Sequence, residues 1–499
     1  MNTRPAKFRS CRSGRARLQP SQSASQPRGS AGASPCQARS CEASVLVIVM
    51  WVAFGLVSIT LYFAHAMLLN LKAADNRAAG LEADQAIEGA ALYVSNVLAN
   101  RINSTTIPAV GNFRAQAVPV GAAKFWIVGR DTNDLQTSLQ SDTPVWGLVD
   151  EAGKVNLNST TASNFQNLPQ MTVNTAAAMF DWQSTNTNPS TDGAKSETYT
   201  ILQPPYNCKN GPYETIDELR LVYGLNMDML FGEDANLNGA MDPNENDGTK
   251  LPPSDNSDGT LDPGVFEYVT TWSHETSLGS NGITRITVTN TTALQQLVSS
   301  NFPNLSQYLT PFGISASGSG TGSSSKGGTS STMTGAGAAA LAPTNVLDFY
   351  VRSGMSESDF QQIEPYLMNA NLTGLININT ATATALACIP GIGSNMAPQV
   401  LTYRQSNPPQ TPSISWLVTA MQNNKPALEA AGPYVTAYSF QYAADIVALG
   451  HNNRGYRRVR FVFDCSSGTP LIVYRQDLTY LGWPLGKKLH DQLLAQNAK

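Results

Sequence analysis

The stretch Ala43–Leu71 reads ASVLVIVMWVAFGLVSITLYFAHAMLLNL and contains no Asp, Glu, Lys or Arg. A helix rises about 1.5 Å per residue, so a run of this length covers the roughly 30 Å hydrocarbon core of a bilayer. Val45, Leu46, Val47, Trp51, Phe54, Leu56, Leu61 and Phe63 are the large apolar side chains expected to face lipid. The arm before the run, residues 1–42, carries eight basic residues (Arg4, Lys7, Arg9, Arg12, Arg15, Arg17, Arg28, Arg39) against one acid, Glu42. An excess of Lys and Arg marks the cytoplasmic side, so everything after Leu71 is expected outside the inner face. A cleaved secretory signal is the competing reading. The run is long for one, and no small-x-small site ends it before the chain turns polar.

The 499 residues carry a formal net charge of −4, which favours neither nucleic acid nor acidic substrates through bulk electrostatics. Of six cysteines, Cys11, Cys36 and Cys41 lie in the arm and only Cys208, Cys388 and Cys465 beyond the membrane run. An odd number there argues against a disulfide framework. His65, His274, His451 and His490 are scattered, without metal-ligand spacing. No nucleophile–base pairing stands out, so the chain does not read as an enzyme.

The apolar run does not end as a simple anchor. Ala83, Ile87, Ala90, Val94 and Val97 recur at spacings of three and four, which predicts an amphipathic helix continuing to about Arg101. Such a stem suggests a pilin-like subunit; a single anchor followed by an ordinary first helix is the alternative. Lys124–Gly129 and Pro144–Val149 read as strands, as do Asp445–Leu449, Arg457–Phe463 and Leu471–Tyr474, with turns at His451–Gly455 and Ser466–Gly468. Strands at both ends with helices between predict an α+β domain, a small sheet split by a large, mainly helical insert.

That insert contains a repeat. Gly153-Lys-Val-Asn-Leu-Asn-Ser-Thr160 corresponds to Gly374-Leu-Ile-Asn-Ile-Asn-Thr-Ala381, and Leu168-Pro169 then aligns with Ile389-Pro390. Each copy predicts a short extended piece, a helix, a Pro-marked turn and a second helix, with the paired Asn side chains capping the first helix. Phe266–Val288 reads as a hairpin. Residues 315–343, rich in Gly, Ser, Thr and Ala, read as a flexible loop. A helix resumes at Asn345, with Leu347, Tyr350 and Val351 on one side.

Asp234-Ala-Asn-Leu-Asn-Gly-Ala-Met-Asp-Pro-Asn-Glu245 fits the calcium-loop pattern D-x-[DN]-x-[DN]-G-x5-E in full. Calcium takes about six to eight oxygens from a sharply turning loop. Asp234, Asn236, Asn238, Asp242 and Glu245 supply side-chain oxygens, Ala240 a carbonyl, and Gly239 the turn. A second loop follows, with Asn256, Asp258, Gly259 and Asp262 at the third, fifth, sixth and ninth places. Ser254 and Val265 hold its first and twelfth places, so it is complete only if Asp255 or Glu267 substitutes.

Pro390-Gly-Ile-Gly-Ser-Asn-Met-Ala397 resembles the turn of a helix-hairpin-helix motif, whose DNA-binding versions hold phosphate on main-chain N–H groups. The first copy has Pro169-Gln-Met-Thr there and lacks both glycines, and cationic residues nearby are sparse. A structural role is expected, with no nucleic-acid partner.

Taken in order, these segments resemble the minor pseudopilin K family of type II secretion, the general secretion pathway protein K. The resemblance is carried by Asp75-Asn-Arg77 with Ala86-Ile-Glu-Gly-Ala90, by Asp150-Glu-Ala-Gly-Lys-Val-Asn-Leu-Asn158, and by Asp181-Trp182. It continues through Pro204-Pro-Tyr206, Lys209-Asn-Gly-Pro-Tyr213, Asp217-Glu-Leu-Arg-Leu-Val222, Gly374–Thr380, Arg475-Gln-Asp-Leu-Thr479 and Leu481-Gly-Trp483. It implies a non-enzymatic, pilin-like subunit with calcium in the insert. Such a subunit is a single-pass inner-membrane protein with its bulk in the periplasm. It initiates and caps a pseudopilus beside minor pseudopilins I and J and so aids export of folded proteins. It also implies processing by prepilin peptidase, whose Gly normally directly precedes the apolar run; here Gly29 and Gly32 lie well upstream. Most pseudopilins place a Glu early in the run, and this one has only Glu42 just before it. A subunit with none above it needs no such carboxylate. The alternative function is a membrane-anchored helix-hairpin-helix protein for DNA uptake. The expected division is 1–42 arm, 43–71 membrane helix, 72–152 first part of the pilin-like domain, 153–431 insert with calcium loops within 234–267, and 432–499 C-terminal strands.

Overall fold

The computed structural model describes residues 42–100, 107–108, 110–132, 139–279, 284–314 and 341–497. The basic arm before Glu42 and residues 315–340 of the Gly/Ser-rich loop lie outside the described residues. The chain divides into two compact units, Met1–Asn70 and Leu71–Lys499.

One helix, α1, runs from Glu42 to Ala99 without a Pro. Within the first unit its apolar side chains are exposed; the eight expected to face lipid are each more than half exposed. The Ser58 and Thr60 hydroxyls close back on the helix, to Phe54 O at 2.8 Å and Leu56 O at 2.9 Å, so neither needs water. In the second unit the helix becomes amphipathic. Ala79, Ala83, Ala86, Ile87, Ala90, Val94 and Leu98 are buried along one face. Val97 is only half-buried; Leu98 takes the place expected for it.

That face packs on an antiparallel sheet of strands β1 (Val118–Val120), β2 (Ala123–Val128), β3 (Val149–Asp150), β4 (Gln441–Leu449), β5 (Arg457–Asp464) and β6 (Leu471–Asp477). The order is β1-β2-β4-β5-β6, with β3 also paired to β4. Alternation along the strands divides the two faces. Phe125, Ile127, Ala444, Ile446, Ala448, Val459, Phe461 and Phe463 meet the stem. Trp126, Val128, Val447 and Leu449 turn the other way, onto Leu485 and Leu493 near the C-terminus. All nine residues of β4 are buried, as a central strand requires. The strand expected at Pro144–Val149 does not form as such. Trp146 makes only an isolated bridge to Val128, and pairing begins at Val149.

Between β3 and β4 the chain builds three copies of one unit, where sequence showed two. Each copy has a two-residue parallel ladder: Val155–Asn156 with Val269–Thr270, Ile286–Thr287 with Leu367–Met368, and Ile376–Asn377 with Val435–Thr436. Each ladder gains the same third bond. Leu157 N donates to Thr270 O, Val288 N to Met368 O, and Ile378 N to Thr436 O, at 2.9, 3.2 and 3.1 Å. Leu157, Val288 and Ile378 are fully buried in one shared core. The hairpin expected over Phe266–Val288 is therefore corrected. Leu278 bridges Thr284, but Val269–Thr270 and Ile286–Thr287 each pair in parallel with a different segment.

The expected helical hairpins are present, as Ala162–Phe165 with Val173–Gln183, and Ala383–Ala387 with Gly393–Ser406. Their caps are not the paired asparagines. Thr382 caps the first helix of the second copy, accepting from Ala385 N at 3.2 Å; Thr161 precedes that of the first copy with no side-chain bond, and Thr172, accepting from Thr175 N at 3.2 Å, caps the second helix there. Asn156 and Asn377 instead close local turns, accepting from Asn158 N and Asn379 N at 2.9 Å, and their amides reach Ser273 and Ser439.

Candidate metal centre

The first calcium-type loop is folded tightly on itself. Asp234 is fully buried, and its carboxylate accepts from Asn238 N at 3.0 Å and Gly239 N at 2.8 Å. Gly239 has φ +69°, and an added Cβ would lie 2.7 Å from Arg130 Nε, so glycine is required on both counts. Asn236 and Asn238 donate side-chain amides to Asp242 Oδ2 at 2.6 and 3.3 Å. Glu245 accepts from Ala235 N at 3.0 Å and from Asp242 N at 2.9 Å. The buried Ala240 donates its N–H to Asn238 Oδ1 at 2.7 Å. The fold thus brings together every side chain read from the first loop. Asn236 Oδ1 is buried without a hydrogen-bond partner.

Electrostatics at this loop are those of carboxylates short of positive charge. Burial pushes Asp234, Asp242 and Glu245 above the usual carboxylate range. Arg130 opposes the shift at Asp234, whereas Asp234 and Asp242 add to it at Glu245. Among the described residues, no three carboxylate, imidazole or thiol groups converge closely enough to hold a metal by themselves. The calcium pattern also draws on amide and main-chain oxygens. The orphaned Asn236 oxygen fits that chemistry: a hard, all-oxygen donor set with excess negative charge.

The second loop is laid out differently from expectation. Asn256 Nδ2 donates to Asp262 Oδ2 at 3.1 Å, Asn256 Oδ1 accepts from Asp258 N at 2.8 Å, and Asp258 accepts from Thr260 N at 2.7 Å. Neither suggested substitute completes it. Glu267 is ion-paired to Arg130 at 2.8 Å, and Asp255 accepts from Asp247, Gly248 and Ser257 N–H groups. Glu233 occupies the place instead. Its Oε1 accepts from Asn256 N at 3.0 Å and its Oε2 from Asp262 N at 3.1 Å. As Glu245 does with Asp242 N, Glu233 braces the N–H of its loop's ninth residue. Sequence reading missed Glu233 because it precedes the first loop and lies outside the second loop's own register. An acid directly beside Asp234 was the available signal.

The first loop is bolted to the sheet. Arg130, just after β2, donates to Asn238 O at 3.2 Å and Leu237 O at 2.9 Å. From β5, Arg458 donates to Asn236 O at 2.5 Å and Leu237 O at 2.8 Å while paired to Asp445 at 2.6 Å. Asn236 and Asn238 also donate to Trp483 O and Pro484 O.

The glycine turn of the second hairpin is exposed on one side and packed on the other. A Cβ on Gly391, at φ +84°, would meet Ala427 O at 2.2 Å. Helix Lys425–Ala431 packs against its inner side, and the turn's Ile392 and Gly393 N–H groups both donate to Ile389 O at 3.1 Å.

No curated protein sequence matches the chain. Residues 373–411 match the family model of the helix-hairpin-helix motif. The crystal structure of the GspK-GspI-GspJ complex from the enterotoxigenic Escherichia coli type 2 secretion system is similar at 9% identity. The match covers 80% of this chain and 96% of that one, at a TM-score of 0.39. Residues 155–230, the first ladder strand with its helical hairpin and the segment leading to the calcium-type loop, match the family model of type II secretion system protein K. Over those residues the chain is similar to type II secretion system protein K.

Proposed function

We propose that this protein is a non-enzymatic minor pseudopilin. It is held in the inner membrane by the first part of α1, with the bulk of the chain in the periplasm. There it initiates and caps a pseudopilus together with minor pseudopilins I and J. The observation that carries this reading is α1 itself. Among the described residues it is the one helix long and apolar enough to cross a membrane. It continues unbroken into a stem whose buried face belongs to the sheet's core. An anchor alone needs no such continuation; a subunit that transmits position from the membrane to a folded head does.

Calcium in both loops is part of the proposal. Asp234, Asn236, Asn238, Asp242 and Glu245 with the Ala240 carbonyl would hold one ion. Glu233, Asn256, Asp258 and Asp262 would contribute to a second. A half-turn of the Asn236 or Asn238 amide exchanges nitrogen for oxygen toward Asp242. The bound ion supplies positive charge to carboxylates that burial leaves repelling one another.

The test is co-purification. The full chain, expressed in its host with pseudopilins I and J, is expected to isolate with both. Deletion of the chain is expected to stop secretion of folded substrates. Normal secretion without it, or no association with either partner, would overturn the reading. The DNA-uptake alternative is disfavoured because the turn's Ile392 and Gly393 N–H groups already donate to Ile389 O.

A further inference from the structure

Where the second and third ladder units meet, two buried acids share one cation. Glu364, just before the second ladder's Leu367, is 2% exposed. Its Oε1 accepts from Ile414 N, in the third unit, at 2.9 Å, and its Oε2 makes no hydrogen bond. Ser413 lies beside the carboxyl. The Ser413 hydroxyl is spent, however, donating to Ser415 Oγ at 2.9 Å, which donates in turn to Glu357 Oε1 at 2.9 Å. Arg285 is committed elsewhere. Its Nη1 pairs with Glu275 Oε2 at 2.6 Å, its Nε donates to Leu367 O at 2.9 Å, and its guanidinium lies 5.0 Å from the centre of the Tyr438 ring.

Other bonds cross the same seam. Thr436, in the third ladder, donates its hydroxyl to Glu275 Oε1, and Asn369, just after the second, reaches Val435 O at 3.5 Å. The walls leave a cavity of about 10 Å³, lined by Glu275, Arg285, Glu364, Asn369, Thr436 and Tyr438 among others. Such a volume cannot hydrate an ionised carboxylate, which is costly to bury unpaired. Burial pushes the Glu364 carboxyl up to about 8; Ser413, Ile414 and Arg285 oppose the shift and Glu275 adds to it. Tyr438 and Tyr350 also face it, and burial pushes both phenols up, so they stay neutral while Glu364 titrates. Glu357, the remaining acid nearby, is exposed at the start of its helix.

We propose that Glu364 is a pH-sensitive latch: in its acid form it holds the second and third ladder units together, and its ionisation loosens the seam between them. An acid whose pKa rises on folding contributes stability that is fully present below its unfolded value, here 4.5, and is lost as pH climbs to the folded value. Opening the seam releases the proton. The open population therefore grows about tenfold per pH unit inside that window and levels off above it. The latch stands apart from the calcium loops and does not depend on the pseudopilin reading.

The test is hydrogen exchange, read by mass spectrometry on the full chain in detergent micelles with calcium present, from about pH 5 to about pH 9. Rates are divided by the intrinsic amide rate at each pH. Peptides covering residues 363–369 and 433–438 are expected to open about tenfold more per pH unit between about pH 5 and pH 7, then to level off near pH 8. A peptide covering residues 173–183, in the first hairpin, should show no such rise. Glu364→Gln keeps the shape of the acid form and cannot ionise. It is expected to match the parent's protection at pH 5 and to keep it at every pH. The parent's own profile decides the matter without the variant: seam opening that ignores pH would overturn the latch. So would the same rise in Glu364→Gln, or a Glu364→Gln chain that does not fold at pH 5, since the neutral form is the one held to close the seam. An equal rise in the 173–183 peptide would assign the effect to unfolding of the whole insert and overturn it too.

Discussion

Glu82 on the stem holds His451, in the β4–β5 turn, by two bonds to one carboxylate oxygen. His451 N donates to Oε2 at 2.9 Å and the ring Nδ1 lies 2.8 Å from the same atom. The other ring nitrogen is 2.9 Å from Asp75 Oδ1, seven residues earlier on the helix, and Arg454 pairs with Asp75 as well. A neutral imidazole donates from one nitrogen only, so bonding to two carboxylates calls for the imidazolium. Hydrogen bonds to Asp75 and then Glu82 raise the His451 pKa, and those to His451 lower both acids.

The sign of the resulting pH dependence follows. A histidine raised in the folded state stabilises fully below its unfolded value, near 6.5, and the gain is lost as pH rises through the folded value. The two acids stabilise above their unfolded values and lose the gain on acidification. Tm is therefore expected to be highest between these ranges and to fall above about pH 6.5. His451→Gln should remove the alkaline part of that fall. An identical alkaline slope in the variant would refute the clasp.

Calcium added back to chelator-treated full chain should raise Tm. A ligand at a hundredfold excess over Kd stabilises by roughly 2.7 kcal/mol, and millimolar concentrations are expected for a loop of this class outside the cytoplasm. Asp234→Ala and Glu245→Ala should lose most of the rise. Glu233→Ala should reduce bound calcium from two ions to one by elemental analysis. Two ions retained in Glu233→Ala would exclude it as the second loop's missing acid.

Asp445 and Arg458 form a pair that is almost wholly buried. Burial pushes the Asp445 carboxyl up, but the guanidiniums of Arg458 and Arg460 outweigh it and hold the pKa at about 2. Asp445→Asn is expected to cost roughly 3–5 kcal/mol in chemical denaturation, because it strands a buried cation. It should also weaken calcium binding, since Arg458 holds the carbonyls of Asn236 and Leu237. Calcium affinity unchanged in a folded Asp445→Asn would separate sheet from loop.

The two turn glycines should respond unequally. A Cβ on Gly391 collides with Ala427, whereas one on Gly393, at φ +59°, meets nothing within 4 Å. Gly393→Ala is expected to cost about 1–2 kcal/mol of backbone strain, and Gly391→Ala more. Neither should change DNA affinity, which is expected to be negligible at physiological salt. Tight, salt-sensitive binding lost in both would favour the uptake function.

Val57→Arg would place a charge near the middle of the apolar run, at about 2.5–3.5 kcal/mol on insertion scales. Membrane fractionation should find less of this variant inserted, and secretion should fail. Full insertion with normal secretion would argue against the anchor.

Where a segment's neighbours in sequence are also its neighbours in space, the chain announced its structure. The stem's three-and-four spacing, the strand segments of β2 and β5, and the pattern of the first loop were readable for that reason. The third ladder was hidden because Thr287 and Thr289 stand where the other copies have asparagine. The asparagine caps failed because the first helices begin only after Thr161 and Thr382, while Asn156 and Asn377 are spent on local turns. Glu233 was invisible for a related reason: it serves a loop more than twenty residues downstream.

Strand β4 lies between β2 and β5, yet residues 129–440 separate the two strands of its first pairing. Contacts of such sequence separation carry a high loop-closure cost and form late. A chain delivered across a membrane from its N-terminus presents β2 long before β4 exists. The three ladder units, each closed within its own stretch, can condense in the interval. The sheet that clasps the stem is then the final event of maturation. A protein cut short before Gln441 should keep a protease-resistant interior from the ladder units while its stem remains open to digestion. On the proposed periplasmic placement, completion of the last strands is the checkpoint at which the stem becomes packed on its sheet.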